Sequence, residues 1–367
     1  MHVVIIVTKS GKGNAMVDWK EEIAATLKNE AAKLPPNSRF YPIRKMMTRF
    51  NTSQRTIEQV MEQLVAENVM IRRRGDGYFT RNQSPNRLLH YRLVYPKWPS
   101  EWFQTLETAW QSYAEQTGEF RFSSVSIGQC ENFFQGLPAD DCDALLIIPP
   151  AGPVSHAALR CICQLPIPIV ILDHEVGDFE LSMVACDSIG GAEAASYLIR
   201  NGHRDLAILI AEPYGDSFNM RCRRFCDFAQ LSGAKVKVID VNCQNWSPGA
   251  YRIYEMLNRY LDEYGLDFTG IFLASSIGVL EVYKAFANHN IAIPEDVSII
   301  AHDEIASNRF LHPSLTSLDP EWSRMIPQIH QNLVDVINGK QTHFHIRTKP
   351  KLIERNSVQR FPVSGGT

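Results

Sequence analysis

Residues 187–210 read DSIGGAEAASYLIRNGHRDLAILI. The first half carries a helical pattern over 190–201 and closes at Gly202-His203-Arg204. The second half, 206–210, is a nearly continuous apolar run, which a strand needs when both faces are buried. The same alternation extends outward in both directions. Candidate strands lie at 89–95, 122–127, 144–148, 169–172, 235–240, 270–274 and 297–301, with helical stretches at 101–116, 248–264 and 277–289. Strands alternating with helices predict an α/β fold of parallel sheets covered on both faces. The stretch is too long for one typical sheet, so two doubly wound lobes are expected. A small ligand would then bind beyond the carboxyl ends of the strands, between the lobes.

The first 81 residues follow a different pattern. Trp19, Ile23, Leu27 and Ala31 recur every four residues, predicting one helix; Leu34-Pro35-Pro36-Asn37-Ser38 stops it. Ile43, Met46, Met47 and Phe50 mark a second helix, with Arg44, Lys45 and Arg49 on its other face. Asn51-Thr52-Ser53 is a turn that offers Ser53 as N-cap. Ile57, Val60, Met61, Leu64 and Val65 stripe a third helix. Val69-Met70-Ile71, the arginines Arg72, Arg73 and Arg74, then Gly75-Asp76-Gly77 and Tyr78-Phe79 predict a hairpin. Three short helices and a basic hairpin describe a winged helix-turn-helix. The third helix is slim enough for a DNA major groove, and its first turn presents Ser53, Gln54, Arg55 and Thr56. Arg72 to Arg74 suit phosphates or a minor groove. A helical domain for protein contacts is the plainer alternative.

Charge supports the polyanion. Residues 1–82 hold 14 Lys+Arg against 8 Asp+Glu, a net of +6; the remainder of the 367-residue chain holds 37 − 14 = 23 against 40 − 8 = 32, a net of −9. A basic head on an acidic body confines nucleic-acid contact to the head. No run of 18 apolar residues predicts a membrane span, and the opening residues lack the layout of a signal peptide. The 8 cysteines are scattered and read as free thiols in a reducing compartment. The expected location is the cytoplasm. Residues 82–88 are polar and turn-prone and read as a linker, and 359–367 as a flexible tail.

The segment LPPNSRFYPIRKMMTRFNTSQRTIEQVMEQLVAENVMIRRRGDGYFT, residues 34–80, resembles the GntR-type winged-helix domain of bacterial repressors. The shared landmarks are Leu-Pro-Pro before the second helix, Arg44, the Ser-x-x-Thr start of the third helix, and a wing ending in Gly-x-Gly-aromatic. The resemblance implies DNA contact at Arg44, Ser53, Gln54, Arg55, Thr56 and Gly77. Gln54 stands where that family usually has Arg, and Glu58 where a basic or polar residue is common. Gln suits an adenine edge better than a guanine edge, so an operator unlike the usual family site is expected.

The body, 89–358, resembles the effector-binding domain of LacI/GalR-type repressors, itself similar to periplasmic sugar-binding proteins. The carrying motifs are 187–209, where Asp187 caps a helix, RCRRF at 221–225, IPEDVSIIAHDEIASNRFLHPSLTSLDPEWSRMI at 293–326 and LIERNSV at 352–358; the first lobe is less diagnostic. The resemblance implies a sugar-like effector held by Arg221 and Asp303, with Trp246 as a stacking face. Ser275 and Ser276 replace the Asn-Asp often found there, which alters the usual hydrogen-bond scheme. Plainer readings are a helix-capping carboxylate for Asp303 and a core or surface aromatic for Trp246. Arg221→Ala or Asp303→Asn is expected to weaken ligand binding by about 1.5–3 kcal/mol and to leave DNA binding without ligand unaltered.

Enzyme signatures are missing. Gly190-Gly191 belongs to no Gly-x-Gly-x-x-Gly, KSGKGNA at 9–15 lacks P-loop spacing, and no Gly-x-Ser-x-Gly occurs. Cys161-x-Cys163, Cys222-x3-Cys226 and His343-x-His345 do not pair into a metal site. The sequence reads as an effector-controlled repressor resembling the arabinose-repressor class, without a cofactor or metal. Its expected partners are double-stranded operator DNA, a small effector and a second copy of the chain, since a two-fold protein matches a palindromic operator. The runner-up is a cytoplasmic sugar-active enzyme whose head is an interaction module.

Overall fold

The computed structural model describes residues 14–34, 38–67, 69–73, 76–80, 88–97, 100–128, 133–150, 154–212, 216–243 and 249–361. The chain divides into two compact units, residues 1–88 with 332–342, and residues 89–331 with 343–367.

In the first unit, helices α1 (Asn14–Ala31), α2 (Ile43–Phe50) and α3 (Gln54–Ala66) precede a hairpin of β1 (Met70–Arg73) and β2 (Gly77–Thr80). The heptad-like stripes explain the packing. Ile23 and Leu27 of α1, Met46 of α2, and Ile57, Met61 and Leu64 of α3 share one buried core with Met70 and Tyr78. Ser53 caps α3, its Oγ accepting from Thr56 N at 3.2 Å. Asn51 ends α2 in the left-handed conformation that Asn tolerates. An isolated bridge between Arg39 and Phe79 adds a third short strand contact to the hairpin, which the sequence pattern does not show. The expected linker lies outside the described residues except for Leu88.

The second unit is a pair of lobes, each built on a six-stranded sheet. Lobe I holds β3 (Leu89–Pro96), α4 (Glu101–Thr117), β4 (Phe120–Ile127), β5 (Ala144–Ile147), α5 (His156–Cys163), β6 (Ile169–Leu172) and β7 (Ser182–Cys186). Lobe II holds α6 (Gly190–Arg200), β8 (Asp205–Ile210), α7 (Asp216–Leu231), β9 (Lys235–Asp240), α8 (Gly249–Tyr264), β10 (Gly270–Leu273), α9 (Val279–Asn288), β11 (Ser298–His302), a 3₁₀ turn (Ala306–Phe310) and β12 (Thr316–Asp319). The chain then returns to lobe I through α10 (Trp322–Ile337) and β13 (His345–Thr348), and ends in lobe II with β14 (Lys351–Ile353). The strand orders are β13-β7-β6-β5-β3-β4 and β14-β12-β11-β10-β8-β9. Pairing is parallel throughout both sheets except for the antiparallel edge strand β14. The four-residue runs ALLI, IVIL and GIFL are buried at every position, which is why they contain no polar residue.

Two glycines are fixed by close approach. A Cβ on Gly191 would collide with the Arg221 carbonyl, so only glycine lets α6 lie this near α7. Gly202 sits at φ +95 with the Phe361 carbonyl where a Cβ would be. That contact fixes the C-terminal segment. Residues 359–361, expected to begin a flexible tail, are held on lobe II. Gln359 N donates to Ser298 Oγ at 3.1 Å and Phe361 N to Asn201 O at 2.7 Å. The Phe361 ring lies 5.0 Å from that of His203. Backbone donors satisfied in this way anchor a terminus that composition alone reads as loose. The last six residues, 362–367, lie outside the described residues.

Candidate functional site

The carboxyl ends of β8, β10 and β11 in lobe II and of β6 in lobe I bring four sequence segments together. Glu212 follows β8, Ser275 and Ser276 follow β10, Asp303 follows β11, and Asp173 follows β6; α7 contributes Arg221. Asp173 and Asp303 both occupy the left-handed region, at φ 54 and 79. Asp accepts that backbone better than most residues, and such positions concentrate at functional sites.

Arg221 organises the cluster. It is 6% exposed, its Nη1 donates to Ala274 O at 2.8 Å, and its Nε has no partner. Burial opposes its charge, but Asp303 and then Asp173 outweigh burial and hold the guanidinium firmly protonated. Asp303 Oδ1 lies 2.9 Å from His302 Nδ1, and Oδ2 lies 3.5 Å from Ser276 N. Burial pushes the Asp303 carboxyl up, yet His302 and Arg221 bring it below its ordinary value, so it is a carboxylate. His302 goes the other way. Burial and Arg221 drive it down to about 4, leaving a neutral ring. Donation from Nδ1–H to Asp303 then makes Nε2 an acceptor, and Nε2 is without a partner.

Two further acids were not anticipated from sequence. Burial pushes Asp173 up to about 6, with Arg221 opposing and Asp303 adding to the rise. Its Oδ1 is buried without a partner. Burial likewise pushes Glu212 up to about 7; the Ser275 hydroxyl lowers it, while Asp303 and Asp173 raise it. A carboxyl immediately after an apolar strand, as in IVILD and ILIAE, is the signal that finds both. Cys186, at the end of β7, is pushed to about 12 by burial and is a poor nucleophile. The described residues contain no group of three His, Cys, Asp or Glu placed to hold a metal.

Of the expected ligand residues, Arg221, Ser275 and Asp303 therefore come together, and Trp246 lies outside the described residues. The charges of Asp303, Asp173 and Glu212 all favour the protonated form of Arg221, so removing it disturbs the ligand-free protein as well as any ligand contact. The lobes meet around the cluster. Ser217 Oγ of lobe II donates to the Asp173 carbonyl at 3.0 Å, and Ser307 donates through N and Oγ to Glu101 of α4 at 3.2 and 2.9 Å. These bonds bridge the two lobes directly. Asp187, expected to cap α6, instead lies two residues before the N-cap Ile189 and accepts from its N at 3.0 Å; no side chain caps this helix.

On the first unit, Arg44, Ser53, Gln54, Arg55, Arg72 and Gly77 are exposed and Thr56 is half-buried. Gln54 Nε2 donates to Glu58 Oε1 at 2.8 Å along the same face of α3. Arg73 is half-buried with its guanidinium 4.0 Å from the Phe79 ring centre, and Arg72 reaches over Tyr78 at 5.9 Å. Arg74 lies outside the described residues.

Residues 195–358 match the family model of the periplasmic binding protein-like domain. The chain is similar to the HTH-type transcriptional repressor PurR of Pasteurella multocida, 28% identical over 195 residues that cover 53% of this chain and 58% of PurR. PurR of Serratia proteamaculans is 26% identical over 195 residues, 52% of this chain and 56% of that one. The chain thus spans under two thirds of the length of these curated relatives. Among solved structures, a LacI family transcriptional regulator from Enterococcus faecium with bound ribose superposes with a TM-score of 0.63 at 19% identity, covering 74% of this chain and 99% of that one. The Escherichia coli transcriptional repressor ascG gives 0.61 at 22% identity, with 74% and 99% covered. Likeness at these identities speaks for the fold. Residues 195–358 of this chain thus match a periplasmic binding protein-like domain, and its two-lobed body shares the fold of these solved structures.

Proposed function

We propose that the chain is a DNA-binding transcription regulator, most simply a repressor, whose operator binding is controlled by a small effector held between the lobes. The observation that carries this reading is the cluster at the strand ends. Asp173 from lobe I and Arg221 and Asp303 from lobe II converge there with buried polar atoms that lack partners, and a polyhydroxylated ligand would satisfy them. The relatives agree with the class: PurR and ascG are repressors, and the E. faecium regulator holds ribose. In this reading the head is a GntR-type winged helix, the protein acts as a homodimer in the cytoplasm, and neither catalysis nor a cofactor is involved. Effector binding favours closed lobes, and it biases DNA binding only by its differential affinity for the two states.

Electrophoretic or fluorescence titration of the full chain with double-stranded DNA at several salt concentrations tests the reading. Affinity that falls steeply with salt is expected; salt-independent or absent binding overturns it. Among the described wing arginines Arg72 is exposed, 3.9 Å from Glu62, and Arg73 is engaged with Phe79, so Arg72→Ala should flatten the log–log salt slope by about 1 and weaken all sequences alike. An unchanged slope would remove the wing from the DNA.

Reading and gripping separate at α3. Gln54→Ala and Arg55→Ala are each expected to relax sequence preference by about 1–3 kcal/mol per lost base contact, measured on a selected site against random DNA. Gln54 must leave Glu58 to reach a base, which places its effect at the lower end. Equal losses on both DNAs would assign these side chains to phosphates.

A further inference from the structure

We propose that the interlobe site selects an effector carrying a protonated amine beside its hydroxyls, an amino sugar or similar polyhydroxylated amine, with the amine held between Asp173 and Glu212, and that it rejects phosphorylated and acidic sugars. The inference rests on the reading above that the cluster is the effector site.

The charge inventory carries it. Three carboxyls converge here, two from lobe II and one from lobe I, and Arg221 is the cation that acts on all of them. Arg221 and Asp303 answer each other, and Asp303 has His302 as its second partner. His302 is neutral and contributes no compensation. Asp173 and Glu212 are left over. Asp173 Oδ1 is buried without any hydrogen bond, and the buried Ser275 hydroxyl beside Glu212 is a neutral neighbour that brings it no positive charge. A buried acceptor without a donor is an expensive group to keep unless a ligand supplies the donor. A neutral sugar would bring donors and no charge. A phosphate would set two negative charges among three carboxyls, with Arg221 the one guanidinium among the described residues to receive them. An ammonium group supplies up to three donors and the missing positive charge together.

Glu212 is the residue that sets this preference, because Asp303 and Arg221 alone form a balanced pair. Glu212→Gln keeps the shape and a hydrogen-bonding group while removing the charge. Asp173→Asn does the same in lobe I, and Asn tolerates the left-handed backbone at φ 54.

The test uses the full chain and matched probes: glucosamine, glucose and glucose 6-phosphate, with the galactose trio alongside, at equal concentration and ionic strength near neutral pH. Thermal shift and calorimetric titration are the readouts. The amine is expected to rank first within a trio and the phosphate last. Glu212→Gln and Asp173→Asn should each cut the amine's advantage over the neutral sugar by about tenfold or more, the loss typical of a charge-assisted bond. Calorimetry in two buffers of different ionisation heat should show proton release on binding the amine to the native chain, reduced in Glu212→Gln. A neutral or phosphorylated sugar ranking first, no shift from any probe, or a ranking untouched by both variants overturns the proposal. DNA titration of the same preparation stands apart: its failure strikes the regulator reading, whereas a failed ranking with intact DNA binding strikes only the effector class.

Discussion

Arg221→Ala is expected to destabilise the ligand-free protein by about 3–5 kcal/mol, the cost of stripping the counter-charge from buried acids. The side chain is 6% exposed, spans from α7 to the Ala274 carbonyl, and faces Asp303, Asp173 and Glu212. Without it, three carboxyls remain with a neutral His302 as neighbour. They can protonate or admit water, and both routes loosen the contact between the lobes. The deficit should be greatest above neutral pH, where all three tend to ionise, and should shrink in acid, where protonation relieves it. Urea unfolding of the native chain and the variant at acid and alkaline pH measures this. A variant as stable as the native chain at every pH would show that the guanidinium is not the cluster's counter-charge. Asp303→Asn is the gentler probe of ligand binding, since Arg221 keeps Asp173 and Glu212 around it.

That dual role of Arg221 marks where sequence reading stopped short. The alternation of strands and helices was legible because parallel strands buried on both faces must be apolar: 169–172 and 235–240 were located to the residue. Strand β7, SMVAC, was not, since Ser182 and Cys186 break the aliphatic run that signals a buried strand. Helix α10 was missed as well. Pro327 lies inside it and interrupts the usual helical reading. Among site residues, Arg221, Ser275 and Asp303 came from lobe II, where the motifs are specific. Asp173 and Glu212 carry no motif beyond their place after an apolar run. Their importance arises from three-dimensional convergence on Arg221, and from burial that a linear pattern does not record. The first unit was read more completely, because its helices are amphipathic and its turn residues are of the expected kinds. What the pattern could not show there is that Arg73 spends its cation on the Phe79 ring.

Glu212→Gln should turn the pH dependence of stability around in a way that fixes the charge state of the site. Glu212 is raised from an ordinary 4.5 to about 7, chiefly by burial. The folded protein thus binds this proton more tightly than the unfolded chain does. The stability it contributes is fully present below about pH 4.5, and is lost as pH rises from there through about 7. At 1.36 kcal/mol per unit, the loss is on the order of 3 kcal/mol. Glutamine cannot ionise, so the variant should keep this stability at alkaline pH and exceed the native chain there by up to that amount. At pH 4 the two should differ little. Asp173, raised to about 6 by burial, titrates in the same window and against the same Arg221. The two acids therefore share their protons, and removing one charge lowers the cost of ionising the other. Glu212→Gln with Asp173→Asn should accordingly gain less at alkaline pH than the sum of the single variants. Parallel stability curves for native and Glu212→Gln across this range would mean that Glu212 meets solvent in the ligand-free protein. A gain confined to pH above 7 would instead assign the effect to another group, because the unfolded Glu212 carboxyl ionises near its ordinary 4.5.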